Sequence, residues 1–438
     1  MSADCVTSRP LAALPKAALA FDAGRAPPGR AAEATDAPVV VNLAIHGGLE
    51  AAEAEWRRFE RNADCTPFQT FDWLLRWQRH IGTREAVQPA IVVGSFADGQ
   101  TALILPLGID RGRGARRLCW LGQDLNDYNA PLIARDFSQR VPAEQFRTVW
   151  QELRGRMQRE PLFRHDWIEL EKMPQLVGGQ SNPFFALAPA TNPSGAHFAE
   201  LGSDWKKFYA AKRSSATRRR DRSKRKRMAE FGEIVFAIDA DAAEATQTVE
   251  TLMAQKRRLF AHRGIADMFE RPGWREFFLD LAAHAAPLRA SPLARDDKVQ
   301  VHIGHTQFGS IRGATHLGVV FRDAYYHVLA SYEDGSLAHY GPGALHLREL
   351  IANAIGLGLR RFDFTVGDEP YKLEWSDTHI KLGDYTDAQT WRGVPACARS
   401  IVHRRIKRFI KQTPAAWRLV SRLRAKFGPL LQRDRVGS

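Results

Sequence analysis

One segment, residues 324–372, constrains the fold of this 438-residue chain more than any other. Apolar residues on both faces of Tyr325–Ser331 predict a buried strand. After a loop, Gly341-Pro342-Gly343 precedes apolar residues at helical spacing, and Arg361–Val366 again has the two-residue period of a strand. The segment therefore predicts a strand, a glycine turn, a helix and a second strand, as in α/β proteins.

The glycine turn has the chemistry of a phosphate-binding site. The first amides of a helix lack intrahelical acceptors and carry the positive end of the helix dipole, so they bind phosphate oxygens. Glycines at the turn let a diphosphate approach the backbone, and a proline is tolerated where no donor is needed. An ordinary helix start has the same pattern. We predict that the binding residues are Tyr340, Gly341, Gly343, Ala344 and Leu345.

Composition and periodicity divide the chain into five segments. Ala and Pro without a sustained period predict a disordered N-terminus, and strand and helix patterns then predict two α/β units joined by a Pro-, Gly- and Asn-rich linker. A basic helical tail follows the second unit. The predicted boundaries are 1–38 for the disordered segment, 39–172 for the first unit, 173–196 for the linker, 197–392 for the second unit and 399–438 for the tail.

Local patterns also predict individual elements within the two units. In the first unit we expect paired strands over 90–95 and 101–107 around a turn at 97–100, and a helix over 143–157. In the second unit we expect helices over 242–262 and 271–285.

The net charge of +14 is concentrated in two short stretches. Residues 206–227 hold 12 Lys and Arg against Asp221, a net +11, and residues 399–438 hold 12 against Asp434, again +11. The rest of the chain therefore carries −8. The first stretch predicts an arginine-dense helix suited to phosphate, a nucleotide or nucleic acid, although a solvated helix face has the same pattern.

The tail has an apolar stripe on a basic helix. Apolar residues recur at three- or four-residue steps through Trp417 and Phe427, with arginines between them. Such a helix can lie on an anionic membrane surface or dock on the body of the protein itself. We expect peripheral contact with the inner face of the membrane.

Several classes of protein are excluded by the sequence. No run of about 18 apolar residues occurs, so we expect no membrane-spanning helix. The four cysteines are far apart and form no CxxC pair, which argues against a disulfide framework or zinc cluster and favours the cytoplasm. His302 and His305 are three apart on a strand and face opposite sides, so we predict no metal site.

The ordered set of motifs resembles the GNAT-fold acyltransferases of the cellulose-biosynthesis CelD type, which are related to Fem-type transferases. The resemblance covers residues 40–390. It rests on the glycine turn with its helix, Phe362-Asp363-Phe364, Gly367–Trp375 with its Tyr-Lys pair, the basic helix, residues 264–272, Pro67–Thr70, Leu105–Leu107, Leu121-Gly122, Asp127-Tyr128 and Pro131-Leu132.

The resemblance implies an α/β (α+β) fold with two tandem GNAT-like domains, each a mixed, mostly antiparallel sheet flanked by helices. It further implies that the first domain is degenerate. The second would bind acetyl-CoA or another acyl-CoA, with the diphosphate on the turn at 341–345.

Acyl transfer to an amine requires a deprotonated amine, a polarised carbonyl and a protonated leaving thiolate. The sequence has no Gly-x-Ser-x-Gly elbow, so we expect direct attack in a ternary complex. We predict His316 as a proton acceptor, with His327 as its alternative, and Asp363 to orient or deprotonate the amine. Tyr371 would protonate the thiolate and Lys372 would bind an anionic substrate.

We therefore expect a cytoplasmic acyltransferase that acts on an amine or hydroxyl of a cell-envelope saccharide, lipid or precursor. One alternative is a Fem-like aminoacyltransferase, whose basic helix would contact tRNA. Another is a nonenzymatic nucleic-acid-binding protein that uses both basic stretches. Nucleic acid other than tRNA is not an expected partner of the enzyme.

Overall fold

The computed structural model describes residues 40–112, 114–285 and 298–413. The predicted disordered segment 1–38 and the part of the tail that contains Trp417 and Phe427 lie outside these ranges. Within the ranges, each helix is too short or too polar to cross a bilayer.

Strands form where apolar and β-branched residues alternate or run together between turn residues. In the first part of the chain they are β1 (Val40–His46), β2 (Val87–Phe96), β3 (Thr101–Asp110), β4 (Arg117–Trp120), β5 (Leu132–Ile133), β6 (Trp167–Pro174), β7 (Leu176–Val177), β8 (Gln180–Ser181) and β9 (Ala190–Thr191). Then follow β10 (Ala196–Glu200), β11 (Ile234–Ile238), β12 (Gln300–Phe308), β13 (Ile311–Phe321), β14 (Ala324–Tyr332), β15 (Arg361–Val366), β16 (Thr378–Ile380) and β17 (Leu382–Ala388).

Helices form where apolar residues recur every three or four positions and a cap satisfies the first amides. For example, Asp241 accepts a hydrogen bond from the Glu244 amide at the start of the longest one. The helices are α1 (Glu53–Glu60), α2 (Phe71–Trp77), α3 (Phe137–Arg140), α4 (Ala143–Arg159), α5 (Trp205–Lys212), α6 (Ser215–Met228), α7 (Ala242–His262), α8 (Trp274–Ala283), α9 (Pro342–Gly356), α10 (Pro370–Trp375) and α11 (Gly393–Gln412).

The described strands form two large mixed sheets of matching topology. The first has the order β1-β2-β3-β4-β6-β17-β9, with β5 beside β3, and the second has the order β11-β12-β13-β14-β15-β10-β16. In each sheet a run of antiparallel strands leads to one parallel pair, β4 with β6 and β14 with β15, and a further antiparallel strand follows. A helix connects each parallel pair, as the geometry of a parallel crossover requires.

Strand β17 joins a sheet that is distant in sequence. It follows the last strand of the second sheet but pairs with β6 in the first, for example Tyr385 with Leu170. The predicted linker 173–196 contains the end of β6 and the short strands β7, β8 and β9. The division into units at 39–172 and 197–392 stays a prediction.

Both sheets share part of the hydrophobic core. Buried side chains of α2 and α8 meet where the rings of Trp73 and Phe277 contact edge-to-face, with centroids 5.2 Å apart. A second core cluster packs the first sheet against α4, and a third packs the second sheet against α9.

The structure confirms the predicted fold class and the predicted local elements. The hairpin of β2 and β3 turns at Gly99, whose φ of 80° lies in the left-handed region. The predicted helix bounds for α7 agree with the structure, whereas α8 begins at Trp274 rather than at Arg271. The sequence placed this start too early, because Pro272 and Gly273 still belong to the preceding turn.

Candidate functional site

The parallel strands β14 and β15 part in the middle of the second sheet. They pair at Ala324 with Arg361, Tyr325 with Phe362, and Tyr326 with Asp363. Beyond this point β14 continues alongside β13, and β15 continues alongside β10. The divergence leaves a wedge at the end of the strands from which the loop to α9 departs.

Both strands are irregular at the wedge. The pairing of β14 with β13 shifts opposite Gly318, and that of β15 with β10 shifts at Phe364. A bulge of this kind leaves a backbone group unpaired and re-aims side chains. Thr365 takes a φ of 60°, and its hydroxyl donates to the carbonyl of His327 at 3.3 Å, which joins the two strands across the wedge.

Asp363 is buried at the point where the strands part. Its Oδ1 accepts hydrogen bonds from the Tyr128 hydroxyl at 2.8 Å and from the Thr365 amide at 2.7 Å. Burial raises the pKa of Asp363 to about 7, while these two hydrogen bonds oppose the rise by favouring the carboxylate. A carboxyl group with such a pKa can exchange a proton near neutral pH.

Tyr128 reaches this carboxyl from a loop beside the first sheet. Gln69 donates to the Tyr128 carbonyl at 2.7 Å, and the neighbouring Asn126 accepts from the Trp73 indole at 2.8 Å. The Phe68 ring contacts the Tyr128 ring edge-to-face. The residues around Pro67–Thr70 therefore position the phenol, whose pKa is raised because it is buried beside Asp363.

Lys372 and Tyr371 lie on α10, which follows β15. The Lys372 ammonium is buried, donates to the Val366 carbonyl at 2.7 Å and lies 3.1 Å from a carboxylate oxygen of Glu369. Tyr371 is 37% exposed, and its partial burial raises the pKa of its phenol. Burial lowers the pKa of Lys256 of α7 to about 8, and the charges of Glu369 and Lys372 also act on this ammonium group.

His316 lies on the other face of the second sheet. Its Nδ1 and Nε2 are 2.8 and 2.9 Å from ring nitrogens of His346 and His302, in a fully buried row that faces α9. The His316 ring lies beside the ring of Tyr325. Asp363 pairs with the next residue, Tyr326, and successive residues of a strand point to opposite faces of the sheet. The structure therefore brings Asp363 close to Tyr128 and Thr365, but it does not bring His316 to them.

His327 and its neighbours are also largely buried. Burial lowers the pKa of His327 to about 3, so its imidazole is neutral. His302 and His305 face opposite sides, since His302 bonds to His316 and His305 bonds to Asp239 at 2.9 Å.

The glycine turn before α9 has one packed side and one open side. The amides of Tyr340, Gly341, Ala344 and Leu345 donate to carbonyls within the turn, at Leu337, Ala338 and Gly341. In the described part of the chain, the Gly343 amide has no such acceptor. Leu345 is buried in a core cluster, whereas Ala344 is exposed.

The basic helix α6 runs beside this turn. A Cβ built on Gly341 would lie 3.9 Å from the ammonium nitrogen of Lys224, and Arg225 forms an ion pair with Glu349 of α9 at 2.6 Å. Most cations of α6 are exposed to solvent. The open side of the turn therefore combines one available amide with a field of positive charge.

Sequence reasoning assigned no role to Tyr128, Thr365, Glu369 or Lys256. Two of them gave a signal, because the Asp127-Tyr128 pair and the segment Gly367–Trp375, which contains Glu369, are motifs on which the family resemblance rests. Thr365 and Lys256 lie outside those motifs.

Comparison with known proteins adds an assignment for the second half of the chain. Residues 215–373 match the family model described as "Acetyltransferase (GNAT) domain". This range includes α6, the strands β12 to β15, the glycine turn and Lys372. No curated protein matches the chain.

Three solved structures illustrate the similarity in shape. FemX has 11% identity and a TM-score of 0.49, and the alignment covers 80% of this chain and 95% of FemX. The C-terminal domain of a putative lysylphosphatidylglycerol synthetase from Agrobacterium fabrum has 10% identity and a TM-score of 0.43, covering 81% and 95%. A tandem GNAT protein from the clavulanic acid biosynthesis pathway has 9% identity and a TM-score of 0.39, covering 79% and 98%.

These three similarities are too low to support an argument about function, which therefore rests on the family match. Over residues 215–373 the chain is similar to a GNAT acetyltransferase domain, and the protein is an acyltransferase.

Proposed function

We propose that the protein transfers an acyl group from acetyl-CoA or another acyl-CoA to an amine or hydroxyl of a cell-envelope saccharide, lipid or precursor. The observation that carries the proposal is the wedge between β14 and β15, with Asp363 at its apex. The wedge lies inside the matched GNAT segment. The finer, CelD-type assignment rests on the sequence resemblance.

Asp363 is the proposed base. A raised pKa of about 7 lets the carboxylate accept a proton from an ammonium or hydroxyl group at neutral pH, and the hydrogen bond from Tyr128 keeps Oδ1 in one orientation. The proton moves from the acceptor nitrogen or oxygen to the carboxylate as the new acyl bond forms.

Residues of α10 would assist the leaving thiolate and the substrate charge. The Tyr371 phenol is protonated at neutral pH and is the proposed proton donor to sulfur as the thioester bond breaks. Lys372 is held by Val366 and Glu369, and an anionic substrate group would compete with the Glu369 carboxylate for this ammonium.

The donor diphosphate is proposed to bind at the open side of the glycine turn. The Gly343 amide is the available donor there, and Lys224 supplies a positive charge. This is a smaller set of amides than the sequence predicted, since four of the five are used within the turn. Charge from α6 would replace part of the missing backbone contacts.

Direct attack in a ternary complex is favoured over an acyl-cysteine intermediate. The described cysteines, Cys65, Cys119 and Cys397, are buried. Burial raises the pKa of Cys119 to about 12, so this thiol is not ionised at neutral pH.

The first unit is proposed to have lost donor binding. Its parallel pair, β4 and β6, parts in the same way after Leu118 and Ile168. There, however, Arg117 bridges the gap by an ion pair with Glu169 at 2.8 Å. The adjoining cavity is polar and only about 40 Å³, too small for a thioester and its carrier.

A membrane-associated acceptor is supported by an exposed apolar stripe on α11. Val402, Ile406 and Phe409 are 53%, 53% and 64% exposed, and Trp391 before the helix is 79% exposed. The helix binds the body through its polar face instead, where Arg404 pairs with Glu169. Its outward face thus carries the apolar stripe together with exposed cations such as Arg405 and Lys407.

Charge favours an anionic bilayer as the partner of this stripe. Helix α11 carries six Lys and Arg and no acid, and residues 414–438 carry a further net +5. Like charge opposes folding of the tail over α11, whereas anionic headgroups attract both. We propose that Trp391 and Phe409 enter the interfacial region of the membrane.

A Fem-like aminoacyl-tRNA-dependent reaction is the second candidate. It is favoured by the exposed cations of α6, which would bind the tRNA backbone. The acetyltransferase domain argues against the third, nonenzymatic interpretation.

The proposal is tested by thiol release from a panel of CoA thioesters with amine- and hydroxyl-bearing envelope precursors, followed by mass spectrometry of the product. Acyl-CoA-dependent product formation that the Asp363→Asn variant abolishes is the expected result. Turnover with charged tRNA and none with acyl-CoA would establish the second candidate instead. No calorimetric heat with any CoA thioester would contradict the proposed donor.

A further inference from the structure

A cluster of two histidines and one aspartate lies at the edge of the second sheet, outside the proposed active site. It consists of His197 on β10, His379 on β16 and Asp368 in the turn after β15. One ligand atom from each residue lies within 4.8 Å of the other two. We infer that these three side chains bind a divalent transition-metal ion of the Zn²⁺ class.

The strand register brings the two imidazoles together. His197 and His379 are directly opposite each other on antiparallel neighbours, so their side chains share one face of the sheet. Their ring centroids are 5.0 Å apart. A Cβ at Gly195 would lie 1.9 Å from His379 Nε2, so only glycine leaves room for this ring.

The His197 ring has an unsatisfied nitrogen. The residue is 2% exposed, and its Nε2 makes no hydrogen bond. The nearest carboxylate oxygen, Oδ1 of Asp368, lies 3.5 Å away, beyond the usual range for a hydrogen bond. An unpaired buried nitrogen costs free energy and requires an explanation.

The 3.5 Å between Nε2 of His197 and Oδ1 of Asp368 suits two ligands of one metal ion. Ligand atoms that each lie about 2.1 Å from a tetrahedral Zn²⁺ are about 3.4 Å apart. Imidazole nitrogen and carboxylate oxygen are both ordinary zinc ligands, and three protein ligands leave a fourth position for water. The pair at 3.5 Å therefore has the spacing of coordination rather than of hydrogen bonding.

Asp368 is held in place by groups that do not block this geometry. Its Oδ1 also accepts from the Gly195 amide at 3.1 Å, and its Oδ2 lies 3.3 Å from the Lys411 ammonium. The lysine thus occupies the oxygen that faces away from His197. Its positive charge would nevertheless weaken the binding of a cation.

An ion at this position would fix the segment that leads into α10. It would join β10, the short edge strand β16 and Asp368, whose chain neighbour Glu369 pairs with Lys372. The inference differs from the sequence-based expectation of no metal site, which considered His302 and His305.

The test uses the full-length protein, stripped of metal with a chelator and then titrated with Zn²⁺ and with Co²⁺ as a spectroscopic probe. We expect one ion per chain, a tetrahedral Co²⁺ absorption spectrum and a Zn²⁺-dependent rise in the melting temperature. His379→Gln is the main variant, because this exposed side chain can change without disturbing the core. It should weaken Zn²⁺ binding at least about tenfold.

Two further variants sharpen the result. His284→Gln removes a histidine that is 58% exposed directly after α8 and should leave Zn²⁺ affinity unchanged. Lys411→Met removes the competing charge and should increase the affinity. Absence of stoichiometric binding would overturn the inference, as would unchanged binding in His379→Gln, which would place the ion elsewhere, for example at Asp239, Glu244 and His305.

Discussion

The Tyr128 hydroxyl donates a hydrogen bond of 2.8 Å to Oδ1 of Asp363, although the two residues are 235 positions apart in the chain. Tyr128 belongs to a loop beside the first sheet, and Asp363 lies on β15 of the second. Both groups are buried. The first part of the chain thus positions the proposed base.

Replacing Tyr128 by Phe should lower kcat/KM about 10- to 100-fold, because a hydrogen bond to a buried carboxylate contributes about 1.5–3 kcal/mol. The acidic limb of the pH–rate profile should move to higher pH, since the lost bond favours the carboxylate form. Tyr385→Phe is the matched control, as its hydroxyl also donates to an aspartate, Asp387. An unshifted profile in Tyr128→Phe would contradict the role of this pair.

Replacing Asp363 by Asn should reduce turnover about 100-fold or more and remove the rise of activity through about pH 7. The measurement is kcat/KM against pH for both proteins at saturating acceptor. A retained rise through pH 7 would assign the titration to another group.

The same substitution should change the dependence of stability on pH. A carboxyl group whose pKa is raised by folding binds its proton more tightly in the folded state. Its contribution to stability is therefore complete below the unfolded pKa of 3.8 and is lost as the pH rises through about 7. The loss is at most about 4 kcal/mol at 1.36 kcal/mol per pKa unit. Urea denaturation at pH 5 and pH 8 should show a smaller difference in Asp363→Asn than in the parent protein.

Replacing Gly343 by Leu should weaken acyl-CoA binding at least about tenfold, because the side chain covers the available amide of the turn. A Cβ at this position is 3.1 Å from Tyr332, so the rest of the side chain must point outward. Gly356→Leu, at the other end of α9 where a Cβ meets no atom within 4 Å, serves as the control. Equal affinities by calorimetry would refute the phosphate role of the turn.

Lys224→Gln should also weaken acyl-CoA binding, and the effect should shrink at high salt as charge is screened. Lys226→Gln on the same helix is the matched control for net charge. Equal losses of acyl-CoA affinity in both variants would show that the total positive charge of α6 attracts the donor, rather than a contact of Lys224 at the turn.

Replacing Ile406 and Phe409 together by Ser should reduce binding to phosphatidylglycerol–phosphatidylcholine vesicles about tenfold or more, through loss of buried apolar surface. Neither side chain holds α11 to the body, so the fold should be kept. Co-sedimentation with pure phosphatidylcholine vesicles provides the baseline. Undiminished binding of the double variant would contradict the membrane role of α11.

The sequence predicted the local elements because each depends on contacts near in the chain. Residues 242–262 carry a helical period and a capping aspartate, and the structure places α7 over that range. Residues 361–366 carry a two-residue period, and the structure places β15 there. The glycine turn was also predicted, because Gly341-Pro342-Gly343 precedes apolar residues at helical spacing. In the structure Gly341 has a φ of 74°, and α9 begins at Pro342.

The tertiary structure decided which of these elements meet. The sequence placed His316 and Asp363 in one site, but the faces of β13 and β15 separate them. It gave no indication that β17 crosses to the first sheet or that His197 lies opposite His379. Pairing between strands far apart in the sequence leaves no periodic pattern by which it could be predicted. The raised pKa of Asp363 likewise depends on burial by segments that are distant in the sequence.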